Sequence, residues 1–554
     1  MPIDVMQILR LCAGISCCAL LTCASAQTTL FYKPNSTRKI SQLTGDWDRP
    51  FGVPTSSQTD TAALLYATDL GSSFEHNGNL VFLFGDTWGG RNGLLDTMGI
   101  SDSVSPWDLQ MSVPLSFDGI WRPMLPAGLN HAEFCVPSHG ISVGGAMYVV
   151  YTQPADGQIM KRSWLIRSIN DGYSWQPLYQ LENNTTADPR FVNVYLEQHD
   201  GYIYMFGCGE YRASSPTLAR IPVADFPTKS AWKYYAGSAG LNNSPVWSSA
   251  AADAVELFNH KQLGEFSCCW IPQLNCWVML YNSGQPRGIT MRTAPNPWGP
   301  WSTGQVIMNP ITDQAYGYYM HTSWDIARID LFSDNSRESE WGGEYGPYLI
   351  PRFTAGSQTQ CELYYTMSTW NPYQVVLMRS VVGILPFTTP PATQTRQLGH
   401  DLWHRYPSNI AEAFMKNGKP NLTTYTTLDG DSKKGWLWQP LPVGTVELEM
   451  QIHGGHGDIY ILENSTPLPQ SGNVAMTALD IRTGVYGRVV AHATGVNSNS
   501  DVITWNPRLR NVDNAHLSIV VLDDVADTWG FISFSDIKVK IVPPPANVSD
   551  WNIY

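Results

Sequence analysis

Apolar and polar residues alternate in short runs along most of the chain, and Gly, Pro, Asn and Asp punctuate them at close intervals. In "TDLGSSFEHNGNLVFLFGDTW", residues 68–88, Leu70 to Glu75 reads as a descending strand, His76-Asn77-Gly78 as a tight turn and Leu80 to Phe84 as the returning strand. The pattern recurs in "VPSHGISVGGAMYVVYTQ" from 136, "FVNVYLEQHDGYIYMFGCGEY" from 191, "FSCCWIPQLNCWVMLYNSG" from 266 and "YLIPRFTAGSQTQCELYYTMS" from 348. Further strands follow several of these hairpins, such as "WLIRSIND" then "WQPLYQ", or "GITMRTAPNP" then "WSTGQVI". No long segment carries a helical period, so the pattern predicts an all-β protein. Five repeats, none able to bury both faces alone, predict a five-bladed β-propeller over residues 27–382. "TRKISQL", residues 37–43, predicts a strand that joins the last blade and closes the ring, leaving no open edge.

"SINDGYSW", residues 168–175, resembles the Asp-box turn of sialidase-like propellers, which joins the third and fourth strands of a blade. Asn170 takes the usual Asp place there, and Asp171 reads as a turn residue, not a catalyst. Beyond residue 382 the texture changes. "GILPFTTPPATQTRQ", residues 383–397, reads as a Pro/Thr-rich linker. Residues 398–545 predict a second β-unit resembling the jelly-roll sandwiches that accompany glycosidases, and 546–554 a tail. Trp403, Trp436, Trp438, Tyr460, Trp505 and Trp529 of that unit suit either sugar stacking or a core.

The first 26 residues hold one Arg, an apolar run and a small-x-small ending at Ala24-Ser25-Ala26, the pattern of a cleaved signal peptide. A secreted, extracellular protein is expected. Six cysteines remain after such cleavage (Cys135, Cys208, Cys268, Cys269, Cys276 and Cys361), and in that compartment disulfides are expected, with their pairing open. Their spacing suggests no metal site. Sequons open at Asn35, Asn183, Asn184, Asn242, Asn421, Asn464 and Asn547, as in a glycoprotein.

A net charge of −13 without a basic cluster argues against nucleic acid and anionic membranes as partners. The chain is only 15% charged yet holds 21 Trp and 26 Tyr, a supply of rings that suits sugar stacking as well as core. A monomer acting on a polysaccharide or oligosaccharide is expected.

Aligning the hairpins by their turns places Asp69, Glu133, Arg190, Glu265 and Arg352 at one level, the rim opposite the turns, with Asp86 and Glu210 ending two returning strands there. Glycoside hydrolysis needs two carboxyl groups in different protonation states, and crowding acids together separates their pKa values. Asp69 is read as base or nucleophile, Glu133 as acid, Glu265 as a rival acid and Asp86 as a pKa-setting or substrate-binding neighbour. Arg190, Glu210, Arg352 and His321 are read as substrate-binding residues. No cofactor is required, and no calcium signature is seen.

"TDLGSSFEHNGNLVFLFGDTWGG", "AEFCVPSHGI", "GEFSCCWIPQLNCWVMLYN", "APNPWGPWS" and "GEYGPYLIPRF" together resemble the propeller family that includes endo-D-arabinofuranases. The resemblance spans roughly residues 40–382 and is most specific at the TDLG and FGDTW segments. It implies a five-bladed propeller and hydrolysis of furanosidic polymers such as D-arabinan. Two other functions fit the same residues. One is a noncatalytic glycan-binding propeller. The other is a polysaccharide lyase, with His321 or Tyr345 as base and Arg190 and Arg352 binding a uronate.

Overall fold

The computed structural model describes residues 29–91, 93–132, 134–155, 159–183, 189–240, 244–311, 313, 315–323, 332–387, 393–398, 403–406, 411–416, 419–425, 434–442, 444–467, 485–496, 498–507, 509, 517–523 and 531–541. The leader (1–26), Glu133, Trp529 and the tail lie outside the described residues.

Strands dominate, and Thr59–Ala63 is the one α-helix among the described residues. Up to residue 383 the strands form a run of antiparallel sheets. The first comprises Leu70–His76, Asn79–Phe84 and Thr97–Ser101. Its hairpin turns at Asn77-Gly78, both with positive φ (48° and 84°), the geometry that a two-residue turn matching strand twist requires. Pro137–Val143 is innermost in the second sheet, Asn193–His199 in the third, Leu263–Ile271 in the fourth and Tyr345–Leu349 in the fifth.

Each innermost strand lies beside the next, and the fifth lies beside the first, so the five sheets close into the ring of a β-propeller. Small hydroxyl side chains tie the ring near its axis. Ser72 Oγ donates to Ser138 O (3.0 Å), Ser138 Oγ to Val194 O (2.8 Å), Ser267 Oγ to Pro347 O (2.7 Å) and Thr366 Oγ1 to Gly71 O (2.9 Å). These bonds satisfy carbonyls that adjacent blades bury against each other. Arg38–Gln42 pairs antiparallel with Val375–Gly383, joining the start of the chain to the last sheet. That strand carries Lys39, buried and paired with Asp48 at 2.5 Å.

The SINDGYSW turn joins Ile159–Ser168 to Gln176–Glu182, the third and fourth strands of the second sheet. Ser168 Oγ accepts from Gly172 N, Asn170 Oδ1 accepts from Ser174 N, and Trp175 is buried. Asp171 meets His76 Nε2 of the first sheet at 2.8 Å, so it braces neighbouring sheets.

Two further sheets, built from strands between Gln394 and Ile541, stack as a sandwich over a core that includes Leu448, Ile452, Ile461, Ile519, Val521 and Val539. Its rings serve packing: Trp403 and Tyr460 are buried, and Trp436, Trp438 and Trp505 lie partly buried against apolar clusters. Arg38 pairs with Glu463 at 3.1 Å, and Phe51 packs with Tyr460 and Leu462, joining sandwich to propeller.

The expectation of disulfides is corrected. All six described cysteines are buried unbonded thiols. They sit in the apolar packing between sheets, where Cys behaves as a small hydrophobe.

Candidate functional site

The innermost strands enter the ring irregularly at the end opposite the hairpin turns. Register shifts fall between Leu70 and Ser72, Pro137 and His139, Leu263 and Phe266, and Tyr345 and Tyr348. The third sheet alone keeps continuous pairing along its innermost strand. Such bulges bend a strand and re-aim its side chains. Leu70 (φ 63°), Phe134 (65°), Arg212 (51°) and Trp370 (58°) hold left-handed backbone at this end, and all four line one central cavity of about 840 Å³. Each such residue costs on the order of 1–3 kcal/mol, which the surrounding sheets must hold in place.

Asp69, Asp86, Glu265 and Glu344 reach this cavity from three sheets. Asp69 precedes the first innermost strand. Its Oδ2 accepts from Tyr345 O–H at 2.9 Å, and Tyr373 also bonds the carboxyl. Oδ1 is buried and has no hydrogen-bond partner among the described residues. Gly85 leaves the space: a Cβ there would stand 2.6 Å from Oδ1. Burial, then the charges of Asp86 and more weakly Glu265, push Asp69 up to about 8 against the two tyrosines. Burial and the neighbouring Asp86 thus favour the protonated form of Asp69.

Glu265 has the opposite surroundings. It is buried, but Arg212 grips it with a fork: Nη2 lies 3.1 and 3.0 Å from its two oxygens and Nε 3.2 Å from Oε2. A bidentate guanidinium favours the ionised carboxylate. The same guanidinium lies over the Tyr211 ring at 4.7 Å.

The side chain of Glu344 is also buried. Arg287 Nε reaches its Oε1 at 3.3 Å, Oε2 has no partner among the described residues, and burial raises its pKa despite Arg287. Asp96 stands outside the lining. It accepts from Tyr151 O–H at 2.5 Å, and burial drives its pKa well up. Trp370 is 46% exposed at the cavity, with the Arg337 guanidinium over its ring at 4.6 Å.

Of the residues expected at the rim, the cavity gathers Asp69, Asp86 and Glu265. Glu133 is outside the described residues, and its neighbour Phe134 lines the cavity. Four expectations are corrected. Glu210 is outside the lining, half-buried and 3.4 Å from Lys161. Arg190 is also outside, its backbone N–H bonded to Glu182 at 2.9 Å. Arg352 lies at the opposite, turn end, donating to Glu75 Oε1 (2.9 Å) and Gly78 O (2.7 Å). The fifth innermost strand begins at Tyr345, not Tyr348, so Glu344 and Tyr345 hold the level assigned to Arg352. His321 is fully buried, with Nε2 donating to Glu338 O at 2.8 Å. With His321, Arg190 and Arg352 outside the cavity, the lyase reading keeps only Tyr345, whose hydroxyl is held protonated by burial and by Asp69.

Fold and site together define a β-propeller with an acidic cavity at the ring's centre. The chain belongs to the family described as Domain of unknown function (DUF4185), whose model matches residues 55–379. No curated protein matches it. Similar solved structures include an exo-beta-1,3-galactanase from Phanerochaete chrysosporium with galactose, 10% identical, covering 91% of this chain and 100% of that one at a TM-score of 0.38. A family 43 arabinoxylan arabinofuranohydrolase from Bacillus subtilis is 10% identical, covering 91% and 99% at 0.33. A Bacteroides ovatus protein assigned as a hydrolase is 12% identical, covering 58% and 87% at 0.37. Two of these neighbours are glycoside hydrolases.

Proposed function

We propose that the protein is a secreted glycoside hydrolase that cleaves a furanosidic, D-arabinan-like polysaccharide in the central cavity. One observation carries the reading: Asp69 and Glu265 share that cavity in opposite surroundings, the first buried beside Asp86 with a tyrosine hydroxyl on its carboxyl, the second held in the fork of Arg212. That is the arrangement by which two carboxyls divide acid and base work. Asp69, protonated, donates to the glycosidic oxygen as the bond breaks. Glu265, held by Arg212 at 3.0 Å, serves as base or nucleophile. This exchanges the role first expected of Asp69 and pairs it with Glu265 in place of Glu133. Asp86 keeps the proton on Asp69, while Tyr345 and Tyr373 hold the carboxyl in place. Trp370 and Tyr211 offer rings to a sugar face. The furanosidic polymer is inferred from the resemblance carried by the TDLG and FGDTW segments, within the stretch that the family model matches.

The test is to incubate the purified protein with a glycan panel that includes D-arabinan and to analyse released fragments. Saturated fragments from a furanosidic polymer are expected. Products absorbing near the ultraviolet band of unsaturated uronates would make it a lyase. Binding without release would leave a lectin.

A further inference from the structure

On the same open end as the central cavity, the second sheet carries a separate groove of about 450 Å³. The side chains along it follow from the register. Gln153 stands directly opposite Arg162, and Trp164 directly opposite Gln180. Arg162 and Trp164 are two residues apart on one strand and share a face. The four side chains thus form a compact row, walled on the far side by Gly128, Leu129 and Asn130 of a preceding loop. Gln153 is buried and locks that wall, donating to Asn130 O at 2.9 Å and accepting from Asn130 N at 3.3 Å. Arg162, Trp164 and Gln180 are only partly covered, and among the described residues their polar groups engage no hydrogen bond or ion pair.

A ring face, an uncommitted guanidinium and an uncommitted amide along a rigid floor form a surface for a hydroxyl-rich saccharide: the ring stacks, the polar groups take hydroxyls. Position adds the direction. Met160 lines the central cavity and Arg162 the groove, so the two sites are separated by two residues of one strand, roughly 7 Å at strand rise. A polymer seated at Asp69 and leaving across the second sheet meets Arg162 and then Trp164.

We propose that this groove is a distal glycan subsite that holds the continuing chain of a polysaccharide whose reacting linkage lies in the central cavity. The proposal rests on the hydrolase reading for its substrate and deepens it: the protein favours long chains over short ones. Asn183, at the groove's edge, opens a sequon, so the protein is freed of N-glycans for the test.

Binding is measured by affinity electrophoresis on full-length Asp69→Asn protein, with and without Trp164→Ala, or with Arg162→Ala and Gln180→Ala together. The double variant, confined to partly exposed side chains, covers the case in which Trp164→Ala lowers the melting temperature. The probes are D-arabinan, L-arabinan and β-1,3-galactan, each as polymer and as trisaccharide. The expected result is retardation by one polymer, weakened at least tenfold by either groove change, while the matching trisaccharide changes less than twofold. Equal weakening for polymer and trisaccharide, no weakening, or no retardation by any polymer overturns the subsite. Retardation that depends on Trp164, where the protein with Asp69 intact cleaves none of the panel, would sink the hydrolase reading and leave the subsite standing.

Discussion

The two ends of the propeller carry similar side chains and treat them differently. At the turn end, Arg352 caps Glu75 and Gly78, and His76 lies 2.8 Å from both Ser142 Oγ and Asp171 Oδ1. Charge and hydrogen-bonding capacity are matched there by partners in adjacent sheets. At the open end, bulged strands and left-handed residues crowd four carboxyl groups around one cavity, with two arginines to answer them. Asp69 Oδ1 and Glu344 Oε2 are buried without partners among the described residues. Polar groups at the turn end hold blades together. Those at the open end destabilise the fold locally, and such uncompensated groups cluster where a protein does chemistry.

The largest expected effect comes from removing the mismatch. Asp69→Asn and Glu265→Gln should each lower turnover by about 10²–10⁴-fold or more, since the amide neither gives nor takes the proton. Their stabilities should diverge. The folded-state pKa of Asp69 is raised to about 8, above its unfolded value near 4, so folding loses stability as pH climbs through that window. Asp69→Asn should therefore melt at or above the wild-type temperature at pH 8 to 9, with the difference shrinking towards pH 4. A clear drop in melting temperature at pH 9 would mark Asp69 as structural.

The pH profile of the wild type sharpens the same point. Activity should fall as pH rises past about 8 and Asp69 loses its proton, and a profile flat to pH 10 would remove Asp69 from the acid role. Next in size is Arg212→Lys, which keeps the charge but not the fork. Activity should fall roughly tenfold, because a lysine cannot hold both oxygens of Glu265 in place. Unchanged turnover would show that the fork of Arg212 does not position Glu265. The smallest effect belongs to the turn end. Arg352→Ala breaks a half-exposed pair with Glu75 and should cost about 0–1 kcal/mol, read as a melting shift of a degree or two, with activity intact. Lost turnover there would contradict the division between the ends.

Much of this division was legible from the pattern of the chain. The first hairpin was readable because period-two alternation meets Asn77-Gly78, a turn with few alternatives, and the closing strand because "TRKISQL" had no partner nearby. Asp69 and Glu265 followed from counting back from such turns. Arg352 did not, because the fifth hairpin lacks a tight turn. Its innermost strand starts inside "YGPYL", where Gly346 and Pro347 look like a loop, and Pro351 ends it early. Counting from the apolar run instead slid the reading past Glu344 to the wrong end. Arg212 sits on left-handed backbone after the returning strand, where no periodicity reports on direction. Cysteine pairing was inferred from compartment, and packing decided otherwise.

The strand that closes the ring also sets a schedule for making the protein. Ser36 and Val381, which exchange hydrogen bonds at the closure, are 345 residues apart in the chain. At synthesis rates of about 5–20 residues per second, the early strand waits roughly 20 to 70 seconds for its partner to be made. Throughout that interval Ile40 and the unpaired backbone around it stand as an exposed sheet edge, the kind of surface that recruits other chains. The blades can fold in order as they emerge, but the ring is a late event. In a cell, yield should depend on what shields that one short strand while it waits.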